Sequence, residues 1–243
     1  MMLRTVAYVS VAVVVDGSAG LVGAFVPERR LDRSRRAMLG FAVGVLLGTT
    51  FLDLLPEAFA GAPRASVLGT IGGSFAIMAS LEWTLGRRPR SSLKGGRLAG
   101  MLLGADAFHN AADGAAIAAS FLISPRLGVI TAVAVIAHEV PEELADYVVL
   151  RNAGLPRGRA LLAMTGVQLT AAVGAALTLL SAAAWHHVAW VALGIAAGTF
   201  LYIAVADLLP LLWQSHPGRN ESRGQAVASL LTGLALAIAE TLW

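Results

Sequence analysis

Eight apolar runs, each of the length that carries a helix across a lipid bilayer, take up almost the whole of this 243-residue chain. They lie near 5–26, 37–60, 66–86, 98–122, 127–150, 160–182, 188–213 and 225–242. A bilayer core of about 30 Å asks for about 20 apolar residues in a helix. Short polar breaks separate the runs: Pro27–Arg36, Gly61–Ala65, Arg87–Arg97, Ile123–Arg126, Arg151–Arg159 and Gln214–Gly224, with a weaker one at Ala183–His187. Charged residues make up only 14% of the chain, against about 25% in a soluble domain. The expected fold is all-α and integral to the membrane, with one transmembrane domain over 1–243.

Every one of the 18 Lys and Arg residues falls in or beside a break, or at the N-terminus. Taking alternate breaks, one side collects Arg29, Arg30, Arg33, Arg35, Arg36, Arg87, Arg88, Arg90, Lys94, Arg97, Arg151, Arg157, Arg159, Arg219 and Arg223. The other side holds only Arg4, Arg64 and Arg126. The positive-inside rule then puts the crowded side in the cytoplasm and both termini outside it. Basic residues confined to loops, with a net charge of +3, argue against a nucleic-acid partner. The alternative for the first run is a cleaved signal peptide, given Arg4 and the small residues Ser18-Ala19-Gly20. Asp16 interrupts that run, and its apolar character continues to Val26.

Two stretches look alike. GTTFLDLLPEAF (48–59) and GTFLYIAVADLLPLLW (198–213) share a Gly-Thr start and Asp-Leu-Leu-Pro. They fall near the ends of runs two and seven, which cross the membrane in opposite directions. That is the mark of an inverted repeat, runs 1–3 against runs 6–8, with four and five as a central pair. Secondary transporters are built in this way, with sites between the repeats.

The polar residues of the central pair carry the chemistry. Run four holds DAFHNAADG (106–114) and run five holds HEVPEELADY (138–147). Residues four apart share a helix face, which pairs His109 with Asp113, His138 with Glu142 and Glu139 with Glu143. Asn110 and Glu139 sit one step round from a histidine. Four carboxylates isolated and charged at mid-membrane would cost roughly 10 kcal/mol; they must be protonated, hydrated or paired, and neither run contains a Lys or Arg to pair them. Two divalent cations would balance four carboxylates. Imidazole with carboxylate suits Zn²⁺, Fe²⁺ or Mn²⁺, and the absence of cysteine argues against a copper(I) site. Pro141 lacks an N–H and frees the carbonyl of Ala137, a break tolerated where it lines a cavity. Gly114 permits close helix approach.

Other polar residues are weaker candidates. Asp53, Glu57 and Asp207 read as lining an access path or as helix-end caps. Asp16, Glu82 and Glu240 read as end or interfacial groups. His186 and His187 read either as gathering metal at the mouth or, more plainly, as an interfacial cluster with Trp185 and Trp190; His216 is read likewise. Glu28, Asp32 and Glu221 read as solvated loop charges.

These motifs resemble those of the ZIP (zinc/iron-regulated transporter-like) family of divalent metal transporters. HNAADG is similar to that family's HNxxDG signature, HEVPEELADY to its HExPHELGD signature, and GTFLYIAVADLLP to its penultimate helix. The likeness runs in order over nearly the whole chain. It implies a 3+2+3 bundle of eight helices moving a divalent metal toward the cytoplasm through a two-metal site on helices four and five. By that resemblance His109, Asp113, His138 and Glu142 are ligands of the transported ion. Asn110, Glu139 and Glu143 serve the neighbouring position, with Glu142 able to bridge. Asp106 matches an acidic position one turn before the histidine.

The sequence also departs from the family. Glu142 stands where many relatives have His, which makes the site richer in oxygen and opens it to Mn²⁺, Fe²⁺ or Cd²⁺ beside Zn²⁺. Asp53 stands where relatives often have His. Where some relatives have an acid on helix six, the nearest residue is the neutral Gln168. The metal is substrate, and no cofactor is expected. The short Arg87–Arg97 loop suggests a prokaryotic cytoplasmic-membrane protein, and the resemblance implies a homodimer. The rival classes are an intramembrane zinc metalloprotease and a non-transporting metal sensor. HEVPE is similar to HExxH, but its second His is replaced by Glu142 and Pro141 disturbs the spacing. The chain is therefore expected not to be an enzyme. Asp146, at the end of the signature, joins the auxiliary acids.

Overall fold

The computed structural model describes residues 2–23, 28–86, 96–184, 187–213 and 223–241. Among them there is no strand. The helices are α1 (Met2–Gly23), α2 (Glu28–Thr49), α3 (Leu55–Gly61), α4 (Arg64–Gly86), α5 (Gly96–Ile123), α6 (Pro125–Asn152), α7 (Arg157–Ala184), α8 (Val188–Tyr202), α9 (Leu209–Trp213) and α10 (Arg223–Thr241).

Two π-helical turns, Thr50–Leu54 and Ile203–Leu208, join α2 to α3 and α8 to α9. Thr49 and Leu55, and likewise Tyr202 and Leu209, keep right-handed helical torsions, so each pair runs on as one rod. The cause is the proline that follows. Pro56 and Pro210 have no N–H for the carbonyl four residues back, and the ladder widens just before them. Leu55 N–H donates to Thr50 O and Leu209 N–H to Ala204 O, both five residues back. The Asp-Leu-Leu-Pro seen twice in the sequence is thus one local structure made twice. π-turns inside α-helices often mark functional sites.

The basic stretch Arg29–Arg36, expected as part of a break, instead forms the first turns of α2. Arg and Leu are good helix formers, and Asp32 and Ser34 do not interrupt them. Charge marked where the apolar run ends, not where the helix does.

The packing has a regularity of its own. The most extensive contacts are α5 with α7, α2 with α10, α4 with α8, α5 with α6 and α1 with α6. Exchange α1 with α7, α2 with α8, α4 with α10 and α5 with α6. The α2–α10 contact then becomes α8–α4, α5–α7 becomes α6–α1, and α5–α8 becomes α6–α2. All of these contacts are present.

The outside of the bundle is apolar. On α7, Leu162, Leu169, Val173, Leu177 and Leu180 are all more than half exposed, and their spacing of three, four and seven makes one stripe. Contiguous apolar stripes of this kind are foreign to a soluble monomer and fit a lipid-facing surface. Among the described residues, four helical stretches are long and apolar enough to cross a membrane: Arg36–Gly61, Arg64–Leu81, Arg157–Ala182 and Val188–Leu208.

Helices α5 and α6 meet as a tight hairpin. Ser124 caps α6 by accepting from Leu127 N–H at 3.1 Å, with Pro125 opening the helix, a favoured pairing of residues at a helix start. Thr131 donates to Ser120 at 2.8 Å across the hairpin. α7 lies on α5 almost backbone to backbone: a Cβ on Gly114 would stand 1.8 Å from Ala171 O, and one on Gly174 would stand 1.8 Å from Ala111 O. Thr170 Oγ1 donates to Ala107 O at 2.7 Å across the same seam.

Candidate metal centre

Helical periodicity puts His109 above Asp113 on α5, and the hairpin turns that face toward His138 and Glu139 on α6. The four side chains converge. His109 Nε2 lies 3.2 Å from His138 Nε2, 3.3 Å from Asp113 Oδ2 and 3.4 Å from Glu139 Oε1. His138 Nε2 lies 3.1 Å from Asp113 Oδ2 and 3.9 Å from Glu139 Oε1. All four residues are buried. An ion holding four ligands at 2.0–2.1 Å in a tetrahedron sets them about 3.3–3.4 Å apart along its edges. The five distances bracket that edge.

The proton inventory points the same way. His138 Nδ1 lies 3.0 Å from the carbonyl of Ala134, a group that can only accept, so Nδ1 carries a proton. When the ring is neutral, its Nε2 lone pair faces His109, Asp113 and Glu139. This is the arrangement in which a second hydrogen bond fixes the tautomer of a metal-binding histidine. Ionised carboxylates also only accept. A proton on His109 Nε2 serves one of these contacts at a time, whereas a metal cation serves all four. The Phe200 ring of α8 packs edge-on against His138 at 5.6 Å and fixes its plane.

Glu142 approaches from the open side. Its Oε2 is 3.6 Å from His109 Nε2, and its side chain is 32% exposed, against 1% for Glu139 and Asp113. Glu142 is thus the carboxylate of this set that reaches the exposed side. Glu139 is the one that links two sides of the centre: Oε1 faces the histidines, and Oε2 accepts from Gln168 Nε2 at 3.0 Å. The same amide also donates to Glu143 Oε1. Which of Glu139 and Glu142 sits innermost depends on how α6 is rotated against α5.

Asn110 is fully buried. Its amide donates to Asp106 Oδ1 at 2.8 Å and to the Asp106 carbonyl at 3.1 Å. That leaves Asn110 Oδ1 buried with no hydrogen-bond partner, and Asp113 Oδ1, Glu143 Oε2 and Gln168 Oε1 share that state. Unsatisfied buried oxygens are costly.

The auxiliary acids divide. Asp106 is buried and, with Asp146, acts electrostatically on the Glu142–Glu143 end. Asp207, on the second π-turn, acts on Glu142. Asp53, on the first π-turn, and Glu57, on α3, are half-buried. His187 lies exposed in a turn before α8. His186, Trp185, His216 and Glu221, with Arg87, Arg88, Arg90, Lys94 and Arg219, lie outside the described residues, as do the side chains of Glu28, Asp32, Glu82 and Glu240.

Asp16 corrects its expected role. It is 0% exposed, within α1, and neither an end group nor an interfacial one. A lone acid in an apolar run has no partner at turn spacing, so periodicity could not connect it to the centre.

Gln168 orients Glu139 and Glu143 from α7. Gln168→Ala is expected to weaken Zn²⁺ binding roughly tenfold, the usual scale for losing a group that orients a metal ligand, read as the dissociation constant of the purified protein.

A family model described as ZIP Zinc transporter matches residues 88–239 of the chain. Zinc transporter ZIP13 of Pongo abelii is 33% identical over 204 residues, covering 76% of this chain and 61% of that protein. Zinc transporter ZIP4 of Mus musculus is 43% identical over 107 residues, covering 44% of this chain and 16% of that protein. Metal cation symporter ZIP14 of Bos taurus is 34% identical over 155 residues, covering 61% of this chain and 31% of that protein. The chain therefore spans less than two thirds of each of these relatives.

Proposed function

The chain belongs to the ZIP zinc transporter family, and from that premise we propose that it carries a divalent transition-metal ion across a membrane toward the cytoplasm, through the centre between α5 and α6. The observation that carries this is the set of four buried donors at tetrahedral-edge spacing. Two imidazoles and two carboxylates neutralise one divalent ion, and they are borderline-soft donors of the kind Zn²⁺ takes.

In this reading the chain crosses the membrane eight times as a 3+2+3 bundle, with both termini outside the cytoplasm. The exchangeable contact pattern and the paired π-turns support an inverted repeat around α5–α6. A site between inverted repeats suits alternating access. The cargo binds His109, Asp113, His138 and Glu139, with Glu142 as the ligand nearest the exposed side. A second, oxygen-lined position adjoins it at Glu139, Asn110 and Glu143. Asp106, Asp146 and Asp207 extend the negative field beyond Glu142 and form the path on that side; Asp53 and Glu57 mark the counterpart on the other rod. A prokaryotic cytoplasmic membrane and a homodimer complete the proposal.

Uptake into proteoliposomes tests it. The reconstituted chain should accumulate Zn²⁺ well above protein-free vesicles, and accumulation equal to theirs would overturn the proposal. Competition by Fe²⁺, Mn²⁺ and Cd²⁺ in the same assay ranks the cargoes. Glu142→His replaces a hard oxygen donor with imidazole, which favours Zn²⁺ over Mn²⁺. The Zn²⁺-to-Mn²⁺ uptake ratio is expected to rise about tenfold, the scale of about 1.4 kcal/mol of preference.

A further inference from the structure

We propose that Asp16 is a cation ligand that supplies, from α1, the anionic oxygen of a second divalent-cation position sharing Glu139 with the first. The inference rests on reading the α5–α6 cluster as a metal centre.

Asp16 is 0% exposed, and both its carboxylate oxygens are buried without a hydrogen-bond partner. A carboxylate in that state does not persist alone, because burial of an unpaired charge is among the largest costs a fold can carry. It needs a cation. The helix that bears it packs on α6, α7 and α5, the three helices that build the centre. The groups within its electrostatic reach are Glu139, Asp113, His138 and His109. The next residue fixes which side of the centre α1 covers: a Cβ on Gly17 would stand 3.7 Å from Gln168 Cβ and 3.9 Å from Gln168 Oε1.

Gln168 therefore lies between α1 and the carboxylates Glu139 and Glu143, to which its amide donates. Its Oε1 is buried and unpartnered. Being neutral, Gln168 offers an oxygen but no charge. Asp16, next to Gly17 on α1, offers the charge. Asp16 and Gln168 Oε1 thereby join Glu139, Asn110 and Glu143 as the oxygen-only donor set of the second position, harder than the histidine-lined position next to it. The anionic ligand that α7 lacks comes from α1, its counterpart under the exchange of contacts described above.

Counting bound Zn²⁺ tests this. The full chain, purified in detergent, is dialysed against Zn²⁺ and its metal content measured by mass spectrometry. Wild type is expected to hold two ions per chain, and Asp16→Asn, which keeps the shape but removes the charge, only one. Two ions retained in Asp16→Asn, or one ion in wild type, overturns the inference. The thermal midpoint checks that the variant is folded. If it is not, Asp16→Glu serves instead: the second ion is expected to bind at least about tenfold more weakly with its ligand displaced, and unchanged affinity overturns the inference. His138→Ala reports on the other position. If it keeps both ions, the histidine-lined reading fails, whatever Asp16→Asn does.

Discussion

His138→Ala is expected to lower Zn²⁺ uptake into proteoliposomes by about 100-fold or more at limiting metal. The ring supplies one of four donors, and its place is set by four contacts. Nδ1 is anchored on the carbonyl of Ala134 at 3.0 Å, Phe200 packs against its edge, and Nε2 meets Asp113 at 3.1 Å and His109 at 3.2 Å. Removing a residue that merely orients a ligand costs about 10–100-fold in metal affinity; removing the ligand itself costs at least the upper end. Nothing replaces it, because Glu142 already lies on the other side of His109 and Phe200 fills the α8 side. The cavity left by the ring also exposes Asp113 and Glu139 to each other without the cation that screens them. His187→Ala is the control. His187 is exposed in a turn before α8, and its loss should leave uptake within about twofold, the scale of a surface change. A comparable loss in both variants would place the metal path elsewhere.

Gly114→Ala should destabilise the protein more than any other single-methyl addition near the site. The new Cβ would stand 1.8 Å from Ala171 O, 2.5 Å from Ala171 C and 2.8 Å from Ala171 Cα. All three are backbone atoms, so no side-chain rotation relieves the overlap and the helices must separate. Separation breaks the Thr170–Ala107 hydrogen bond and lifts Gln168, on the same helix, from Glu139 and Glu143. Gly174 faces Ala111 O with the same 1.8 Å clearance, so the two glycines hold one seam at two points, as small residues do where membrane helices approach closely. Overpacking of this kind costs about 3 kcal/mol or more. A fall in the thermal midpoint, with weaker metal binding, is the expected result for either glycine. Gly166→Ala, where a Cβ meets nothing within 4 Å, should change little. Equal midpoints for Gly114→Ala and Gly166→Ala would contradict the account of the seam.

Much of the centre was legible because helix periodicity is strict. His109 and Asp113, four residues apart, had to share a face, and so did Glu139 and Glu143. The absence of Lys and Arg from the two central runs leaves a proton, water or a bound cation to neutralise the carboxylates. What could not be read was rotation and contact between helices. Glu139 and Glu142, three residues apart, are neighbours on α6, and only the docking of α5 decides that Glu139 is the buried link while Glu142 borders the exposed side. Gln168 was noticed only by resemblance; its amide between two carboxylates is a product of the α5–α7 seam. Asp16 was misread because one acid in an apolar run has no periodic partner. Pro56 and Pro210 announced an irregularity, but a kink and a π-turn have the same sequence cause and differ only in which carbonyl takes the next N–H. The basic start of α2 shows the converse. Charge located the end of an apolar run correctly and the start of a helix wrongly, because Arg favours both water and helix.

X-ray absorption at the zinc K-edge, on the purified full chain loaded with one equivalent of Zn²⁺, tests the centre most directly. The account predicts a shell of nitrogen and oxygen ligands at about 2.0–2.1 Å, with multiple scattering from two imidazole rings, His109 and His138. An oxygen-only shell, with no imidazole scattering, would contradict it.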